Sequence, residues 1–348
     1  MTIPSRFIQD ILDQPRVLRN ALAAFPYREF NRVAEKFQAG EFDCVVLTGM
    51  GGSLSSLMAT STLLSQSTTP IILLETAELI HYRLNQITAN SLVWIVSQSG
   101  NSVEIVKLLD HLQENRPAAI IGTTNNPEGS LAKAADVVIP ISAGDEFTVS
   151  TKTFTSTLAL DQLAATKLLG NSLGDAVTEL EHCAEMIGEY LSNFDARLAE
   201  LKNLLGDSYK RAILVGRGTS MATVMGGSLI LKEASKTIIE GMSTSHFRHG
   251  PLELVEPGFS LLVLAGTETT RELNRRIALE VKRLGGNVLW FSPVEDEDLT
   301  TIKLPAVSDL ALPVMEMIPF QLLTIVISQI KGIEPGIFRN ISKVTRVE

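Results

Sequence analysis

The residues best suited to chemistry stand in one short run, Ser97-Gln98-Ser99-Gly100-Asn101-Ser102. It lies between the apolar run Leu92-Val93-Trp94-Ile95-Val96 and the helical pattern Val103-Glu104-Ile105-Val106-Lys107-Leu108-Leu109. A hydroxyl-rich turn of this kind gathers donors and unpaired backbone N–H groups at the positive end of a helix dipole, which suits a phosphate. Ser and Asn are also favoured helix caps, so the six residues by themselves equally fit an ordinary capped helix.

Other candidate constellations carry less. The turn Gly49-x-Gly51-Gly52 also follows an apolar run, but the G-x-G-x-x-G spacing of a dinucleotide site is absent there and in the similar Gly216-x-Gly218. Glycines that permit a tight turn and close helix packing account for both. His246 and His249 share one turn without a nearby third ligand, so no zinc pair is read from them. Cys44 and Cys183 are far apart and lack metal-ligand spacing, which suggests neither a disulfide framework nor a zinc site and fits a reducing, cytoplasmic setting. No metal and no cofactor are expected.

The 348 residues exceed one typical core and suit two domains. Hydrophobic residues at 45% and charged residues at 20% are ordinary for a globular protein. A net charge of −9 and a pI near 5.2 oppose a general nucleic-acid-binding role, which rests on a basic surface. The N-terminus lacks the apolar core of a signal peptide, and no uninterrupted apolar run reaches the ~18 residues of a membrane span, so a protein that is neither exported nor membrane-bound is expected.

The elements that position these residues come in two sets. Cys44-Val45-Val46-Leu47-Thr48-Gly49-Met50-Gly51-Gly52-Ser53 matches Arg211-Ala212-Ile213-Leu214-Val215-Gly216-Arg217-Gly218-Thr219-Ser220 at a shift of 167 residues, and Ser91 to Val96 matches Ser260 to Ala265 at 169. A further apolar run follows in each set, at Ala118 to Ile121 and at Asn287 to Phe291. Apolar strands alternating with helices imply a parallel sheet covered on both faces, so the fold class is α/β, with two tandem doubly wound, flavodoxin-like domains. Ligands of such sheets sit beyond the carboxyl ends of the strands, where the Gly49 to Ser53 and Ser97 to Ser102 turns both fall. The expected division is an N-terminal helical segment over 1–39 with one or two helices, a first domain over 40–170, connecting helices over 171–205, a second domain over 206–334 and a tail over 335–348.

With the motifs Ser97-Gln98-Ser99-Gly100, Ser150-Thr151-Lys152-Thr153-Phe154-Thr155, Gly216-Arg217-Gly218, Leu231-Lys232-Glu233, His249-Gly250-Pro251-Leu252 and Asn340-Ile341-Ser342-Lys343 in this order, the chain resembles the sugar isomerase (SIS) domain family from about residue 40 onward. Within it, the likeness is to the double-domain isomerase half of glucosamine-6-phosphate synthases. The resemblance implies that Ser97, Gln98, Ser99 and Ser102 hold a sugar phosphate, with Gly52, Ser53, Ser342 and the backbone near Thr148 and Ser150 beside the sugar. It makes Glu233 the carboxylate that moves a proton between C1 and C2, a task served by a partly desolvated Glu. It makes His249 the ring-opening proton shuttle, commonly lent by the neighbouring subunit, and so implies a homodimer with shared sites. It makes Lys343 a contact to the open-chain sugar, able to form an imine when neutral.

Plainer readings of the same residues are a solvated Glu233 paired with Lys232 or Lys236, a surface His246, and a basic tail exposing Arg339, Lys343 and Arg346. Lys152 fits either a buried structural lysine or a pocket wall. In the second domain Gly266-Thr267-Glu268-Thr269-Thr270 replaces the serine loop, and its carboxylate repels phosphate, so one phosphate pocket is expected, in the first domain. Ile230 stands where the synthases carry a lysine, and Gly52 where they carry a threonine. With the chain starting at the isomerase region, no glutaminase activity is expected. The expected function is a phosphosugar isomerase or aminosugar-phosphate isomerase/deaminase; the alternatives are a deglycase-like lyase on a ketosamine phosphate and a phosphosugar sensor without turnover.

Overall fold

The structure is a computed structural model that describes residues 5–345. It contains two five-stranded sheets in which every pairing is parallel. The first comprises β1 (Val45–Gly49), β2 (Ile71–Glu75), β3 (Leu92–Val96), β4 (Ala119–Thr124) and β5 (Val137–Pro140), in the order β2-β1-β3-β4-β5. The second comprises β6 (Ala212–Gly216), β7 (Ile239–Ser243), β8 (Ser260–Leu264), β9 (Asn287–Ser292) and β10 (Thr300–Lys303), in the order β10-β9-β8-β6-β7. Read from the other edge this is the same 2-1-3-4-5 order, the flavodoxin-like winding expected from the duplication. The central strands β1, β3, β6 and β8 are buried along their whole length, because helices cover both faces. The edge strands β2, β5, β7 and β10 were missing from the sequence reading. Their part-exposed patterns lack the continuous apolar signal of a central strand.

The chain divides into two compact units. One takes Arg16–Glu181 and the tail from Asn340; the other takes the chain up to Pro15 with His182–Arg339. The division falls inside the helix Leu173–Ser192. In the first unit the helix Lys152–Leu168 is buried at every residue except Lys167 and packs against Gly52–Leu64 and Tyr27–Gln38. In the second unit the helix Leu312–Lys331 takes the corresponding place against Met221–Ser235. With 20 residues and a mean hydropathy of 1.4 over its best window it has the length and composition of a membrane span, although polar residues interrupt its apolar run. Its residues Leu312 to Ser328 are buried in protein, as in a core helix.

The N-terminal segment forms three helices, Arg6–Leu12, Gln14–Ala23 and Tyr27–Gln38, where one or two were expected. Asp13 ends the first, and the second starts directly with Pro15 in its first turn, where a missing N–H costs nothing. Pro26 caps the third.

Candidate functional site

β1 and β3 are neighbours, but the chain leaves β1 toward β2 on one side and β3 toward β4 on the other. The loops that follow them therefore diverge and open a crevice at their carboxyl ends. The serine loop stands there. Its turn is tight: the Gly100 N–H reaches the Ser97 carbonyl and hydroxyl, both at 3.2 Å, and Gly100 adopts φ +65°. A side chain at Gly100 would also come within 3.1 Å of Thr124 Oγ1. Across the crevice, a side chain at Gly49 would stand 2.9 Å from the Val96 carbonyl, so close strand packing explains that glycine.

The helix Val103–Glu114 begins at Ser102, which occupies the N-cap position without making a side-chain cap bond. The Val103 N–H goes to the Thr345 carbonyl at 3.3 Å and the Val106 N–H to the Ser102 carbonyl at 3.0 Å. The Glu104 and Ile105 N–H groups find no acceptor among the described residues. Two backbone donors, a hydroxyl and the positive helix end thus converge where an anion is stabilised. The plain reading of Ser102 as an ordinary cap fails on this point, since its hydroxyl is not spent on the helix.

A cleft of about 470 Å³ adjoins the loop, lined by Gln98, Ser99 and Asn101 from one side and by Asp145, Glu146, Phe147 and Lys343 from the other, with Asn125 and Asn126 between. Asn126 Nδ2 holds the Ser99 carbonyl at 3.0 Å, and the Ser130 N–H binds Asn101 Oδ1 at 2.8 Å, so the loop after β4 braces the serine loop. Lys343 is not a solvated tail residue: its side chain is 18% exposed, and Nζ donates to Glu146 Oε2 and to the Thr148 carbonyl, both at 2.8 Å. Glu146 also accepts hydrogen bonds from the N–H and hydroxyl groups of Thr151 and Thr153, and so caps the helix Lys152–Leu168. Lys152 is buried at the start of that helix.

Of the residues assigned to the sugar, Gln98, Ser99 and Lys343 share this cleft. Ser97 is 6% exposed and braces the turn from beneath. The exposed Ser342 gives its hydroxyl to the Val344 carbonyl at 2.8 Å. Gly52 and Ser53 open the helix after β1, with Phe154 3.6 Å from where a Gly52 side chain would start. Thr148 is buried and Ser150 half-buried, in the loop leading to the capped helix. Arg346, named with the tail, lies outside the described residues.

Glu233 and His249 belong to the other unit. Glu233 is half-buried in the last turn of Met221–Ser235, at the end of the sheet where β7 starts; His249 is exposed and follows the turn Thr244–Arg248, beyond the end where β7 finishes. A strand of this length separates its ends by roughly 15 Å, so one chain does not bring the two together. Lys236 sends its ammonium to the Glu233 carbonyl oxygen and, at 2.7 Å, to that of Ile337. Burial and then the Arg339 charge lower the Lys236 pKa, against the pull of Glu233. Ile230, 2% exposed, is a core residue of the same helix.

Sequence reading missed Asn125, Asn126 and Glu146. The signal for Glu146 was an acid just ahead of Ser150-Thr151-Lys152-Thr153, a helix start rich in donors that a carboxylate can cap. Among the described residues no group of three His, Cys, Asp or Glu is placed to hold a metal, and both cysteines are free and buried.

Known proteins share this fold. The isomerizing glutamine–fructose-6-phosphate aminotransferase of Pyrococcus horikoshii is 29% identical over 98% of this chain and 57% of its own length. The chain thus spans little more than half of such relatives. The C-terminal domain of glucosamine-fructose-6-phosphate aminotransferase from Francisella tularensis superposes with a TM-score of 0.84 at 22% identity, over 97% of this chain and 99% of that one. Glucosamine-6-phosphate deaminase from Thermotoga maritima does so at 0.80 and 22%, over 99% and 100%. The family profile described as the SIS domain matches residues 43–167 and 207–327, one match on each sheet, and the chain belongs to the SIS domain family, with two repeats.

Proposed function

We propose that the chain binds a phosphorylated sugar or amino sugar in its first repeat and isomerises or deaminates it by proton transfer between C1 and C2. The observation that carries this reading is the serine loop at the β1/β3 crevice, with the Ser102 hydroxyl and two helix N–H groups unspent. The phosphate sits on that loop, and Ser99 and Gln98 continue the contact into the cleft. Glu233 takes the proton from one carbon of the open-chain sugar and returns it to the next through an enediol or enolamine. His249 shuttles the ring-opening proton near neutral pH. The separation of Glu233 and His249 along β7 supports a homodimer in which each completes a site with the partner's copy. Burial of the apolar Ile230, where the synthases carry a lysine, weighs against amination or deamination by the synthase route, because it can neither donate a proton nor hold a charge.

The deciding experiment is proton NMR in deuterated water with fructose 6-phosphate and, separately, glucosamine 6-phosphate. Deuterium entry at C1 or C2 that disappears in Glu233→Gln is the expected result, and the product shows whether nitrogen leaves. Absence of exchange with both sugars rejects these two substrates and points to another substrate, a lyase acting on modified sugars or a sensor.

A further inference from the structure

The Glu146 carboxylate has no part in the chemistry proposed above, yet it is the most heavily bonded side chain of the cleft. Its side chain is 0% exposed. Oε1 accepts from the Thr151 N–H at 2.9 Å, the Thr151 hydroxyl at 3.2 Å and the Thr153 N–H at 3.2 Å; Oε2 accepts from the Thr153 hydroxyl at 2.6 Å and from Lys343 Nζ at 2.8 Å. Every partner is a donor, so the carboxylate is used as an acceptor only, which is the bonding pattern of the ionised form. The threonine contacts tie it to the first turn of the helix Lys152–Leu168. The lysine contact ties it to the C-terminal tail, and the next residues of that tail run to Thr345, whose carbonyl takes the Val103 N–H at the start of the serine-loop helix.

We propose that Glu146 is a positioning residue that fixes Lys343 in the cleft as an ammonium, so that the lysine serves a bound phosphosugar as a stationary positive charge and not as a nucleophile. Imine formation needs a neutral amine that attacks a carbonyl carbon and expels water. Lys343 instead faces a buried carboxylate and a carbonyl oxygen, both acceptors at 2.8 Å, and to attack it would have to surrender both bonds and a proton. Held where it is, 18% exposed on the cleft wall, it offsets the charge of a phosphate or of an oxyanion forming at C1 or C2. The identity of the ligand rests on the function proposed above; the anchoring of the tail does not.

The two parts are tested separately on the full chain. Without any sugar, hydrogen exchange of the Val103 amide, which is bonded to the Thr345 carbonyl of the tail, is compared among the wild type, Glu146→Gln, Lys343→Met and the double variant. About tenfold faster exchange in each single variant, with no further increase in the double, is the expected result. Lys343→Met leaves the threonine contacts of Glu146 in place, so it separates the ion pair from the helix cap. Wild-type protection in both single variants overturns the anchoring. The role of the lysine is read by borohydride reduction in the presence of fructose 6-phosphate and by Lys343→Arg, which keeps the charge and cannot form an imine. No added mass at Lys343, with sugar affinity in Lys343→Arg within about tenfold of wild type, is expected. A reduced adduct on Lys343 overturns the stationary-charge role. Failure of the wild type to bind either fructose 6-phosphate or glucosamine 6-phosphate rejects the proposed ligand, while the exchange data decide the anchoring by themselves.

Discussion

At Ser99 and Ser102 two hydroxyls are set beside a helix start whose Ser102 makes no side-chain cap bond, and under the function proposed above their value is specific to a phosphorylated ligand. Hydrogen bonds to a charged acceptor contribute roughly 1.5–3 kcal/mol each. Ser99→Ala with Ser102→Ala is therefore expected to weaken a sugar phosphate by well over tenfold while leaving the unphosphorylated sugar nearly unchanged, as read by calorimetry. Equal losses for both would place the phosphate elsewhere. Glu233 is proposed to act at a different step. Its replacement by Gln keeps shape and polarity but removes the base, so turnover is expected to vanish with phosphosugar affinity retained within about tenfold. Undiminished turnover would take Glu233 out of the reaction.

The serine loop is an element held in one conformation by its own turn. Gly100 has a left-handed backbone at φ +65° and a hydroxyl 3.1 Å from where a side chain would begin. Gly100→Ala is expected to cost about 1–2 kcal/mol of stability and to weaken phosphate binding, measured by denaturant unfolding and by titration with the sugar phosphate. The two helices buried after β5 and β10 form a second kind of element, since each carries one carboxyl with a single hydroxyl donor. Asp161 accepts from Thr123, itself bonded by Trp94 Nε1, and Glu316 accepts from Ser220. Burial, only partly offset by those hydroxyls, pushes both pKa values up to about 8.

Those two carboxyls set a pH dependence for the whole molecule. A folded-state pKa above the unfolded one means that the native protein binds the proton more tightly. The stability from that proton is complete below the unfolded value near 4, shrinks as pH rises, and is gone above about 8. Asp161→Asn with Glu316→Gln cannot ionise. Between pH 4 and pH 8 the wild-type unfolding temperature is expected to fall relative to that of the double variant, and parallel curves would show that the carboxyls do not titrate in this window. Assembly gives a second test. If Glu233 and His249 complete a site across a dimer, mixing and re-forming Glu233→Gln with His249→Ala restores about a quarter of wild-type exchange, because half of the dimers are mixed and each has one intact site. No recovery in mixed dimers would reject a site shared between subunits.

The sequence by itself determined the duplicated α/β winding, because central strands covered on both faces must be continuously apolar and recur at one spacing. It also located the serine loop, since a strand, a hydroxyl-rich turn and a helix pattern are local signals. The edge strands β2, β5, β7 and β10 were illegible because half-exposed strands share their composition with loops. Only the tertiary structure decided that Ser97 braces the turn while the Ser102 hydroxyl makes no cap bond to its helix, since capping depends on side-chain direction and not on residue type. It alone placed Lys343 on Glu146, nearly 200 residues away in the chain, and set Glu233 and His249 at opposite ends of β7. Such pairings follow from how the strands are ordered in the sheets, and no local spacing encodes that order.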